Sequence, residues 1–402
     1  MSERNLPVHP NLDQLKHQAK DLLRETRKND ASAKLSSAQY VLARSYGVQS
    51  WPRLALACRM VDAIWQDDVE AVRTLVLKHP RLLHEMARGT EHCNWGPPMS
   101  YAANLGRDRI IEMLRDLGAK DLTRALARAV LQGQIETARR LYAMGARPPR
   151  GTLMGPAEAQ NIRGMTYALE LGAEICDDNG NLLAPVAMLL ETYSRNAKGK
   201  HECLELLAAH GVELPDTPTM ALHRGRIDLL EEHLLRDPQL LSRIFSHREI
   251  YPPELGCHTE ERLALCGTPV IGTTLLHMAV DYNELEIVRW LIDRGMDVNA
   301  KADVDAEGFG GHTALFGSVV AIMHLSQKYS KLVDAPFARL LLDHGADPGA
   351  RASLRKQLVG SDDDSMHEYR DVTPLSWGRR FHDQGFVSQP ALKLIEERGG
   401  HE

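Results

Sequence analysis

Aromatic residues are scarce, at 5% of 402 positions, and this scarcity argues against a β-sandwich or barrel, whose cores draw on Phe, Tyr and Trp. The six cysteines are dispersed, with no Cys-x-x-Cys, so a disulfide framework is not expected in a chain of this size. No apolar run approaches the roughly 20 residues needed to cross a bilayer. The opening Met1-Ser2-Glu3-Arg4-Asn5 lacks the apolar core of a signal peptide. Nor is there a Gly-x-Ser-x-Gly, His-Glu-x-x-His, Walker or dinucleotide-binding motif. What is abundant is Leu, with 56 residues, and Ala, with 42. Both favour helix. The expectation is a mostly helical cytoplasmic protein, without membrane partner or cofactor.

Net charge is −6 and uneven. Residues 1–60 hold ten Lys/Arg against five Asp/Glu, and the remainder holds 38 against 49. A mildly basic leader thus precedes an acidic body, far short of a nucleic-acid-binding tail.

A Gly followed by a small or apolar residue recurs behind Leu-rich helices: Gly118-Ala119, Gly145-Ala146, Gly172-Ala173, Gly211-Val212, Gly295-Met296 and Gly345-Ala346. The first two intervals are both 27 residues, the third is 39 and the last is 50, the signature of a repeat with insertions. The fullest unit starts Gly272-Thr273-Thr274-Leu275-Leu276-His277-Met278-Ala279-Val280. It continues through Leu285-Glu286-Ile287-Val288-Arg289-Trp290-Leu291-Ile292 to Gly295-Met296-Asp297-Val298-Asn299-Ala300. Thr274 suits a helix N-cap, and Ala279 suits close helix approach. Ile287, Val288, Leu291 and Ile292 share one helical face, and Gly295 suits a left-handed C-cap. Asn283 stands at a turn that calls for positive φ. One helix pair cannot bury such a face, so pairs must stack.

This unit resembles the ankyrin repeat, with Leu275 in place of the usual Pro and Asn283 in place of the turn Gly. Weaker likenesses extend over residues 57–400, about nine units in all. The resemblance implies an all-α, ankyrin-type solenoid of stacked helix pairs with some β-hairpin fingers. At its His277 position the ring usually bonds backbone between repeats. Residues 61–402 would form the array, with insertions at 244–270, 301–312, 324–335 and 351–371.

Residues 1–60 depart from the repeat and read as a three-helix capping module. Pro10-Asn11-Leu12-Asp13-Gln14-Leu15-Lys16 with Ser50-Trp51-Pro52-Arg53-Leu54 looks like the leader of many bacterial ankyrin-repeat proteins, which implies a bacterial origin. Ala43, Gly47, Val48 and Leu54 also have the spacing of a helix-turn-helix. Trp51 and Pro52 at the start of the last helix favour packing over base contact.

Function is expected in the insertions, since solenoid insertions form loops on the binding face. Tyr251, Phe309 and Trp377 would be partner anchors if exposed, or packed beneath their own loops. Asp303 and Asp305 open like a calcium loop, but Ala314 stands where that loop needs Glu, so a finger is the better reading. Asp362 and Asp363 belong to an acidic stretch suited to a basic partner segment. Cys257, His258 and Cys266, with His247, have donors that suit zinc; the alternative is a covering loop with buried thiols. The resemblance implies a monomeric scaffold that binds a protein partner through its concave face and C-terminal fingers. One alternative is an enzyme or ligand-binding protein with a pocket of Cys257, His258, Asp303, Asp305, His312 and His324. Another is a nucleic-acid regulator acting through residues 36–60.

Overall fold

Left-handed backbone positions punctuate the chain. In the computed structural model, which describes residues 6–90, 94–259, 267–321, 332–358, 363 and 365–402, Gly118, Gly145, Gly172, Gly211, Gly295 and Gly345 all have φ between +83° and +106°. Each ends a helix where a Cβ would be strained. A second series lies between the two helices of a pair, and there Asn283 has φ +63° beside Gly106, Gly133 and Gly225 at +66° to +69°.

Two compact units result: residues 1–155 with 163–174, and residues 156–162 with 175–402. The boundary expected near residue 60 falls inside the first. That unit contains α1 (Leu12–Asn29), α2 (Leu35–Ser45), α3 (Trp51–Trp65), α4 (Val69–Lys78), α5 (Pro98–Asn104), α6 (Asp108–Asp116), α7 (Leu122–Leu131) and α8 (Ile135–Ala143). The sides of α1, α2 and α3 that meet bury Leu15, Ala19, Leu42, Ala43, Val48, Leu54 and Cys58. The same α3 packs on α4 and α5, so it belongs to both the leader and the first repeat. Further along, α5 packs on α7, and α4 on α6. Arg53, a residue that base contact would need free, is 2.9 Å from Glu85 and donates to Gln49.

Helices α9 (Met154–Glu158) and α10 (Ile162–Glu170) lie where the two units exchange chain. The second unit continues with α11 (Ala184–Glu191), α12 (Ala197–Ala209), α13 (Pro218–His223), α14 (Ile227–Arg236), α15 (His247–Ile250), α16 (Leu275–Asp281), α17 (Leu285–Asp293), α18 (Ala314–Gly317) and α19 (Pro336–Asp343). Strands β1 (Ala352–Lys356) and β2 (His367–Val372) precede α20 (Pro374–Arg380) and α21 (Gln389–Glu397). Here α13, α16, α18 and α20 pack in succession, as do α17, α19 and α21. The face expected of α17 is the buried one: Ile287, Val288 and Leu291 are all within 2% exposure. Among the described residues, no helix is long and apolar enough to cross a membrane.

Short β contacts run between the helix pairs. Phe245 bridges Thr273, Val304 bridges Gly310, and Gly310 bridges Ser353. Antiparallel to β1, β2 sets Tyr369 opposite Leu354, Glu368 opposite Arg355 and His367 opposite Lys356. The insertion expected at 324–335 lies outside the described residues except for 332–335.

Candidate interaction site in the finger region

The repeat that supplies α16 also anchors the fingers. Thr274 and His277 form a capping box in which the Thr274 hydroxyl lies 3.0 Å from His277 Nδ1. His277 Nε2 donates to the carbonyl of His312 (3.0 Å), and His312 Nε2 donates to the carbonyl of Pro269 (2.8 Å). The two rings meet edge to face, with centroids 5.4 Å apart. This is the between-repeat backbone contact that the resemblance implied for His277. Burial holds the rings neutral, with His277 pushed down to about 3 and His312 to about 4.

From that base the 301–312 finger turns on Asp305. Its Oδ1 accepts from the backbone N–H of Glu307 and of Phe309, both at 2.9 Å, and its Oδ2 accepts from Arg355 at 2.7 Å. The Phe309 amide is the main cause that holds the Asp305 carboxyl below its ordinary range. Arg355 also pairs with Glu307. The guanidinium carbons of Arg355 and Arg370 lie 4.9 and 4.1 Å from the Phe309 ring centroid. Such cation–π contacts stiffen a finger that has little core of its own.

Between this finger and β1 lies a cleft of about 180 Å³. Asp303, Asp305, Phe309 and His312 line it together with Leu354 and Arg355. Four residues expected from the sequence therefore converge. Two of them contribute little side chain to a visitor, since Phe309 is 5% exposed and His312 2%. The accessible chemistry is the Asp303 and Asp305 carboxylates set against Arg355.

The other expected residues lie elsewhere. Tyr251 is buried, its hydroxyl accepting from Tyr282 at 2.5 Å. Trp377 is fully buried, edge-on to Tyr369 and Phe381. With Phe309, both follow the packed alternative rather than the exposed anchor, because each loop uses its aromatic as core. His258 is half exposed and hydrogen-bonds Glu191 through both its backbone N–H and Nδ1, each at 2.8 Å. Cys257 is buried, and burial raises its thiol well above the usual range, against the thiolate that a metal would require. Cys266, His324 and Asp362 lie outside the described residues. Among the described residues, no three His, Cys, Asp or Glu side chains group as a metal site. Asp363 is exposed and bonded to Ser365, which with His367 holds its carboxyl down at about 2.

Sequence reasoning missed a buried charge cluster. Arg195 donates to Asp281 Oδ2 at 2.8 Å, and Lys200 Nζ lies 3.1 Å from Glu284, with all four side chains 4% exposed or less. Both cations also face the Tyr282 ring. Burial pulls the Lys200 amine below its ordinary range, and Glu284 opposes that pull. Arg195 and Lys200 come from the stretched connection at 193–201, where repeat spacing carries no information.

Residues 271–303 match the family model of the ankyrin repeat. No curated protein sequence matches the chain. Among solved structures the chain is similar to the human ASB11 ankyrin repeat domain, at 16% identity and a TM-score of 0.27, over 76% of this chain and 99% of that one. The segment carrying α16, α17 and the root of the 301–312 finger is thus the part of this chain that a family model recognises as ankyrin-like.

Proposed function

We propose that the protein is an ankyrin-type solenoid scaffold, set in a bacterial cytoplasm, that docks a protein partner on its C-terminal fingers. Ankyrin repeats are generally protein-interaction modules, and the matched segment ends at Asp303, on the wall of the finger cleft. That placement is the observation that carries the reading. The cleft offers two carboxylates and a guanidinium that a partner segment would meet as hydrogen-bonding groups around a stiff base. At about 180 Å³ it is smaller than the roughly 300–1,000 Å³ of pockets that enclose small molecules, which favours a protein surface over an enclosed ligand. The nucleic-acid alternative has less support, since Arg53 is already held by Glu85.

Crosslinking capture with the intact chain and with Asp303→Arg tests the reading. Arg109→Ala, on α6 of the first unit, is the control. A partner lost from the Asp303→Arg sample and kept by the control is the expected result. Capture of the same set by all three chains would sink it.

A further inference from the structure

Strand β2 is the outer strand of the finger sheet. It pairs with β1 on one side, and among the described residues no other strand or bridge pairs with it. The far side of β1 is taken, because Ser353 and Gly310 exchange two backbone bonds of 2.7 and 3.2 Å. An outer strand is a template for a further chain, and proteins commonly blunt such edges with charges that repel a second copy.

The charges on β2 run the other way. Its sequence is His367-Glu368-Tyr369-Arg370-Asp371. Laid antiparallel against itself with Tyr369 at the centre, it sets Glu368 opposite Arg370 and Arg370 opposite Glu368. His367 falls opposite Asp371 in the same register. Every charged position thus meets the opposite sign, and cross-strand neighbours lie within about 4.5–5.5 Å at Cβ. Glu368 and Arg370 are each 54% exposed and 3.3 Å apart within one chain. A second copy would complete a square of alternating charge. Asp371 turns away at φ +49°, which ends the regular strand and leaves Glu368 and Arg370 as the main pairing residues.

We propose that β2 pairs antiparallel with β2 of a second copy of this chain, giving a two-fold dimer whose register is set by Glu368 and Arg370. The interface is isologous, so each contact occurs twice. It departs from the expected monomer and stands independently of the docking reading above.

Sedimentation of the full chain over a range of protein and salt concentrations tests it. The wild-type chain should pass from monomer to dimer as concentration rises, and less readily in high salt. Glu368→Arg and Arg370→Glu each place like charges opposite one another, and each alone should weaken the dimer by about tenfold or more. Mixing the two variants restores opposite signs and should restore the dimer as a mixed species. Matching circular dichroism and melting of the variants would show that these exposed changes leave the fold intact. A wild-type chain that stays monomeric throughout overturns the proposal and leaves the edge to an extended segment of a different protein. Equal dimerisation of both single variants overturns it, as does a mixture that fails to associate.

Discussion

His277 and His312 show how one side chain ties two repeats and what that tie costs in acid. In the folded protein burial keeps the rings neutral to about pH 3 and about pH 4. In the unfolded chain they take up protons below about pH 6.5. The unfolded state therefore binds more protons across that window. The stability they contribute is complete above about pH 6.5 and is lost as pH falls toward 3. Urea midpoints should drop between neutral pH and about pH 5, and less steeply in His312→Gln, which starts from a lower stability. An equal slope in both chains would contradict this account. The role of His277 was legible in the sequence because the capping pattern fixes its place. That of His312 was not, since its position is set by the path of the 301–312 finger, which has no period.

At the scale of elements, the stripe on α17 and the cluster around Tyr282 fail differently when damaged. Leu291 is fully buried. Its truncation to Ala should cost about 2–5 kcal/mol, and Leu291→Asp should unfold the second unit, because a charge there has no partner. A thermal melt unchanged in Leu291→Asp would refute the packing. Asp281 accepts from the Gly267 amide at 3.0 Å as well as from Arg195. Asp281→Leu would strand a buried guanidinium and should cost about 3–5 kcal/mol by denaturant unfolding. Replacing Arg195 and Asp281 together by Met and Leu should cost less than Asp281→Leu alone, because the desolvation of both charges is removed. A double variant weaker than the single one would show that the hydrogen bonds of Arg195 to Thr192 and Ser194 matter more than the charge. Helix positions were readable from Leu-rich stripes and glycine caps, since both repeat at helical spacing. The Arg195–Asp281 tie was not, because it joins residues 86 positions apart across irregular chain.

For the whole molecule, composition pointed correctly to a mostly helical chain with a few fingers, and the aromatics it has are spent as core. The division into two units was invisible to the repeat pattern, which runs through the exchange near residues 155–175 without a break. That division gives the buried cysteines a use as reporters. Cys58 lies in the first unit, and Cys203 and Cys257 lie in the second. Burial pushes the Cys58 thiol up to about 11 and the Cys203 thiol up to about 12. In the closed state neither forms appreciable thiolate at neutral pH, so each reacts with an alkylating reagent only when its own unit opens. Mass spectrometry that follows alkylation at Cys58 and Cys203 separately therefore times the opening of each unit in the undivided chain. Two distinct rates would mean that one half can open while the other stays folded, and a single shared rate would mean that the chain opens as one.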